Sequence, residues 1–127
     1  MISLKEILLD YSSLPEYSGL DLSDVNQKSL FGDRPINISA SRGIVEEIEV
    51  ILSSGGDINS KGEHGYSPLH NAVEQGHLLA VNVLLSHGAD ALLKSNEQLT
   101  PLDLALSLQM SDVAECLRAH LEHQNRE

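Results

Sequence analysis

The chain repeats itself every 33 residues, and that period constrains its fold more than any other feature. Three of its four prolines, Pro35, Pro68 and Pro101, stand 33 residues apart. The same step links Asp24-Val25-Asn26 with Asp57-Ile58-Asn59 and then with Asp90, and it links Lys28, Lys61 and Lys94. Gly32 and Gly65, Gly43 and Gly76, Gly55 and Gly88, and Ala72 and Ala105 obey it too. A fixed period of about 20–50 residues marks a stacked array, in which each unit buries its neighbour's apolar face and no single globular core is required. With 127 residues the chain has one domain's worth of material.

The middle unit shows what each period builds. Ser67 and Thr100 are N-cap residues, and the proline after each takes the first helical position, where its missing N–H costs nothing. The first helix runs to about Gln75. Gly76 breaks it and allows a tight turn into a second helix, with Leu78, Val81, Leu84 and Leu85 on one stripe. Gly88 ends that helix in the left-handed conformation. The unit reads Gly65-Tyr66-Ser67-Pro68-Leu69-His70-Asn71-Ala72, Gly76-His77, Val83-Leu84-Leu85 and His87-Gly88-Ala89-Asp90. In both its opening and its close it resembles the ankyrin repeat, and the resemblance covers about residues 24 to 121. It implies an all-α solenoid of helix–turn–helix units with short extended fingers, the stretch Asp90 to Gln98 being one finger.

The outer units drift. Arg34, Asn37 and Ser39 replace the capping Ser/Thr, His70 and Ala72 in the first; Asp103, Gln109 and Arg118 stand at the His70, Gly76 and Leu85 positions in the last. Terminal repeats are expected to be atypical because one face meets water. Residues 24–127 therefore form the repeat domain, with repeats at about 32–64, 65–97 and 98–127, closed by a polar tail from His120 to Glu127. Residues 1–23 form a degenerate helical N-terminal cap. Ser3 and Glu6 have capping-box spacing and Leu4, Ile7, Leu8 and Tyr11 share one face, so residues 3–11 are a helix. The period places a second helix over 12–19, but Ser12-Ser13 and Pro15 make a poor one. Leu14, Tyr17 and Leu20 are left to cover the first repeat.

Composition narrows the function. Nineteen acidic residues against eight basic ones give a formal charge of -11. Such a surface repels nucleic acid and anionic membranes and attracts a basic protein, although acidity also serves solubility alone. Aromatics are only 3%, so the core is aliphatic. The lone Cys116 excludes an internal disulfide, and no segment has the length of a membrane span or the apolar run of a signal peptide; a cytoplasmic location follows. No catalytic constellation is present, so neither an enzyme nor a small-molecule substrate is expected. Gly55-Gly56-Asp57-Ile58-Asn59-Ser60-Lys61-Gly62 lacks a phosphate loop's glycine before its lysine. His120 and His123 share a helix face without a third ligand, so no metal or cofactor is expected. The resemblance gives His70 and His77 structural hydrogen bonds. Glu46, Glu47 and Glu49 open a helix, where the positive end favours carboxylates.

In resembling proteins a partner binds the concave surface, made of finger tips and the exposed positions of each first helix. Carried over, these positions include Leu30, Phe31, Asp33 and Arg42 in the first unit. In the second they are Lys61, Glu63, His64, Tyr66, Glu74 and Gln75; in the third they include Glu97 and Leu99, and Lys28 and Lys94 belong to the first and third sets. Leu30-Phe31 puts the chain's one Phe on the first finger, where it either folds onto the cap or anchors a partner. Small free-standing ankyrin proteins include bacterial immunity proteins that neutralise a toxin. The resemblance thus implies a non-catalytic inhibitor of a basic partner, or alternatively a cytosolic adaptor or regulatory subunit.

Overall fold

A computed structural model describes residues 2–125, and no strand occurs among them. Its helices are α1 (Leu4–Tyr11), α2 (Pro35–Arg42), α3 (Val45–Ser53), α4 (Pro68–Glu74), α5 (Leu78–Ser86), α6 (Pro101–Ser107) and α7 (Ser111–Asn125). Short 3-10 turns cover Pro15–Tyr17 and Glu63–Gly65. The last two residues of the polar tail lie outside the described residues. Three antiparallel pairs, α2/α3, α4/α5 and α6/α7, stack so that α2, α4 and α6 form one row and α3, α5 and α7 a second. The chain is an all-α ankyrin solenoid.

Local chemistry accounts for each pair. Ser67 and Thr100 cap α4 and α6, their hydroxyls accepting from the His70 and Asp103 amides, and a proline follows each. Arg34 has no capping oxygen, so the first repeat relies on the reciprocal bond: the Arg34 amide donates to Asn37 Oδ1 at 2.9 Å. Gly43 and Gly76 turn the chain between helices at φ +71°. Gln109 does the same in the last pair at φ 58°, a conformation that costs a residue with a Cβ more than glycine.

The core is a file of aliphatic side chains running along the stack: Ile36, Ile48, Ile51, Leu69, Val73, Val81, Leu84 and Leu117 are each at most 1% exposed. Arg118, at an apolar position of the other repeats, stays on the surface and pairs with Glu115 at 3.7 Å. Outside the core a ladder joins the repeats. The Asp57 amide donates to Asn26 Oδ1 at 3.2 Å, and the Asp90 amide to Asn59 Oδ1 at 2.9 Å. Leu92 stands where the next asparagine would.

The cap holds two findings the period did not reveal. Helix α1 forms where expected, but it packs chiefly on α3 and so occupies the second-helix row. Residues 12–19 form a turn, so the cap is a lone second helix followed by an irregular return. Two tyrosines make this joint, against the expectation of a purely aliphatic core: Tyr11 and Tyr17 are 0% and 1% exposed. Tyr11 donates to Glu47 Oε1 at 2.5 Å, and burial beside that carboxylate raises its pKa far above the ordinary phenol value. Glu47 is thus a buried partner of the cap, not merely a helix-opening carboxylate.

Candidate functional site

The face made by the fingers and the first-helix row is organised by backbone hydrogen bonds at the repeat period. Each finger closes on itself through an amide-to-carbonyl bond four residues ahead. Ser29 donates to Asp33 at 2.7 Å, Gly62 to Tyr66 at 2.9 Å and Ser95 to Leu99 at 2.9 Å. Each closing carbonyl also receives a side chain from the preceding unit. His70 Nε2 donates to the Leu99 carbonyl at 2.8 Å, and Asn37 Nδ2 to the Tyr66 carbonyl at 3.3 Å. The Tyr17 hydroxyl, from the cap, donates to the Gln27 carbonyl at 2.8 Å, with the Asp33 carbonyl as a second acceptor at 3.2 Å. Buried donors and acceptors must find partners, and this lattice supplies them for the closing carbonyls at each finger.

The histidine reading follows from this geometry. A carbonyl only accepts, so His70 Nε2 carries the proton and Nδ1 accepts from the Ser67 amide at 3.1 Å. Burial holds this imidazole below its ordinary pKa. His77 Nε2 donates to the Ser41 carbonyl at 2.9 Å, one repeat back. Cys116 is half-buried; its thiol donates to Asn82 Oδ1 at 2.9 Å, and burial pushes its pKa up, which keeps it a thiol.

The positions assigned to a partner divide into two groups. Leu30, Phe31, Lys61, Glu63, His64, Glu74, Gln75 and Glu97 are exposed. Leu30 and Phe31 keep 61% and 56% of their surface in solvent. The finger is nevertheless tied to the cap, since the Leu30 amide donates to the Glu16 carbonyl at 2.7 Å. Lys61 reaches along the face to the Lys94 carbonyl at 2.7 Å. Glu74 and Glu97 both bear on the Tyr66 phenol, and together with burial they push its pKa up to about 12.

Four of the assigned positions are engaged within the stack. Tyr66 is buried, stacked on His70 at 5.4 Å between ring centroids, because its ring fills the space under the finger. Leu99 is half-buried and packs against the core. Asp33 is half-buried and spends Oδ1 on the Glu63 amide at 2.9 Å, a joint between fingers. Arg42 turns to the cap: it pairs with Asp10 at 3.2 Å and Glu47 at 3.5 Å, and its guanidinium lies 5.1 Å from the Tyr11 ring centre. The sequence carried no signal for that joint, because α1 reaches Arg42 from outside the repeat register. Glu16 was also missed. It sits beneath the first finger, and burial raises its pKa, with Asp33 and Glu63 acting in the same direction.

Among the described residues no helix is long and apolar enough to cross a membrane. Comparison with known proteins finds a match to the family described as ankyrin repeats (many copies) over residues 53–105. No curated protein matches the chain. The matched span holds the end of α3, the whole of the central pair and most of α6. The flanking units carry the same finger closure, cross-repeat donors and helix pairing. Period, geometry and match agree, and the chain is an ankyrin-repeat protein.

Proposed function

We propose that this protein-interaction module binds a basic protein through its finger face and neutralises it, acting in the cytoplasm as an inhibitor of the immunity-protein kind, a bacterial toxin being one such target. The observation that carries this reading is the company kept by the exposed carboxylates. Glu63, Glu74 and Glu97 come from two fingers and the end of α4, and the last two converge on one buried phenol. They belong to a chain of net charge -11, and the basic residue nearest in register, Lys61, is turned to a backbone carbonyl. Beside them stands the apolar tip Leu30-Phe31, of the type that anchors interfaces once covered. Binding of this kind needs no catalysis and no cofactor.

Affinity capture with the purified chain, followed by mass spectrometry and an activity assay of the captured protein, tests the reading. A basic protein should be retained by the parent and lose its activity in the complex. Phe31→Ala should release it faster, by about 2 kcal/mol or roughly thirty-fold. A captured partner that keeps its full activity would make the chain an adaptor instead. Capture unchanged by Phe31→Ala and by charge reversal at Glu63 and Glu74 would remove the finger face from the proposal.

A further inference from the structure

An apolar cavity lies away from the finger face, at the free side of the cap. It is an open groove of about 610 Å³ between α1 and residues 20–23. Leu4, Leu8, Leu20 and Leu22 form its apolar floor and walls. Every later second helix has its equivalent side covered by the helix before it, α3 by α1, α5 by α3 and α7 by α5. Among the described residues the α1 helix has no such neighbour.

Three observations say what fits there. The groove's edge carries its own plug: Leu9, one of the lining residues, is 72% exposed and projects from α1. Its only charged lining residues are Lys5 on α1 and Asp21 on the opposite wall, one of each sign. The lining thus carries one charge of each sign, although the chain's net charge is -11. A projecting leucine beside an apolar groove, with opposite charges on the two walls, is self-complementary about a two-fold axis. The other end of the stack does not offer this match, since α7 exposes Asp112, Glu115, Arg118 and Glu122.

We infer that the groove is a homodimer interface in which two α1 helices pack about a two-fold axis. Leu9 of each copy enters the groove of the other, and Lys5 of each faces Asp21 of the other. Such isologous contacts are the commonest closed assemblies. An eight-residue helix is about 12 Å long, so the contact falls below the standard size of about 1,200 Å² and the dimer is weak. Half-association is expected on the order of 100 µM.

Sedimentation equilibrium over a concentration series tests this on the whole chain. The parent should move from monomer to dimer, and added salt should tighten the dimer by screening two chains of like charge. Leu9→Glu should abolish dimerisation with an unchanged circular dichroism melt, because the side chain is exposed. Lys5→Glu and Asp21→Lys should each weaken the dimer at least ten-fold, and the two together should restore it. A monomer at all concentrations up to about ten times that midpoint would overturn the inference and leave the groove to another occupant. A dimer that survives Leu9→Glu, or single charge reversals that the double variant fails to rescue, would overturn it equally.

Discussion

Positions 37, 70 and 103 are occupied by Asn, His and Asp, and hydrogen bonding accounts for all three. Each accepts from the amide of its own N-cap residue: Arg34 to Asn37 at 2.9 Å, Ser67 to His70 at 3.1 Å and Thr100 to Asp103 at 3.1 Å. Asn37 and His70 must also donate to the finger of the next repeat. Asp103 meets no further finger among the described residues, and as a carboxylate it accepts the Thr100 amide. The drift that looked like decay of the motif is therefore chemistry matched to position. Two outcomes follow. His70→Ala should cost about 2–3 kcal/mol, since it empties a buried site and removes both bonds, whereas His70→Asn should recover part of that loss. The parent's stability should also fall in acid. The folded imidazole titrates below the unfolded value of about 6.5, so the unfolded chain takes up the proton first. The contribution is complete above about pH 6.5 and is lost as pH falls below it. Denaturant midpoints measured across pH 5–8 for parent and His70→Asn should differ in slope on the acid side; parallel curves would contradict the lowered pKa of the buried imidazole.

At the scale of the element, the helix–turn–helix unit depends on a glycine whose role changes along the stack. Gly43 and Gly76 share φ +71°, but their surroundings differ. A Cβ on Gly43 would enter the ring of His77, which is held across the turn by the Ser41 carbonyl. A Cβ on Gly76 would meet only the end of Met110, at 3.6 Å. Gly76→Ala should therefore cost about 1–2 kcal/mol, the left-handed backbone alone. Gly43→Ala should cost more by at least about 1 kcal/mol, because His77 must give up its bond or its packing. Thermal melts of the two variants decide it, and equal losses would mean that His77 does not constrain the turn. These elements were legible in the sequence because caps, prolines and glycines are local signals. The cap's position was not. Nothing local to residues 4–11 states that α1 joins the second-helix row, since the placement is fixed by Tyr11, Arg42 and Glu47 meeting across 31 or more residues. Tyr66 was misread for a similar reason: its position on a finger suggested exposure, and its burial comes from stacking on His70.

For the molecule as a whole, the 33-residue period specified the stack, and the -11 charge underlies the proposal of a basic partner. Which of the proposed site residues stay exposed was only partly legible. Glu63, Glu74 and Glu97 are exposed as their register suggested, while Asp33, Arg42, Tyr66 and Leu99 are taken up by joints within the stack. A position in a repeat tells which surface a residue approaches; whether it stays free depends on neighbours from other repeats. The two surfaces of the molecule also differ in electrostatic character. The finger face gathers carboxylates, so salt should loosen a basic partner there, whereas two copies of like net charge meeting at α1 should be tightened by it. The measurement that tests the central claim most directly is the association rate of a captured basic partner as salt is raised, for the parent and for the chain with Glu63→Lys and Glu74→Lys. Association of the parent should slow by about ten-fold or more as the Debye length shrinks from about 30 Å to about 8 Å, with dissociation changing little, and the double variant should start slow and lose that dependence. A parent whose association is indifferent to salt, or a double variant that associates as fast as the parent, would contradict the account.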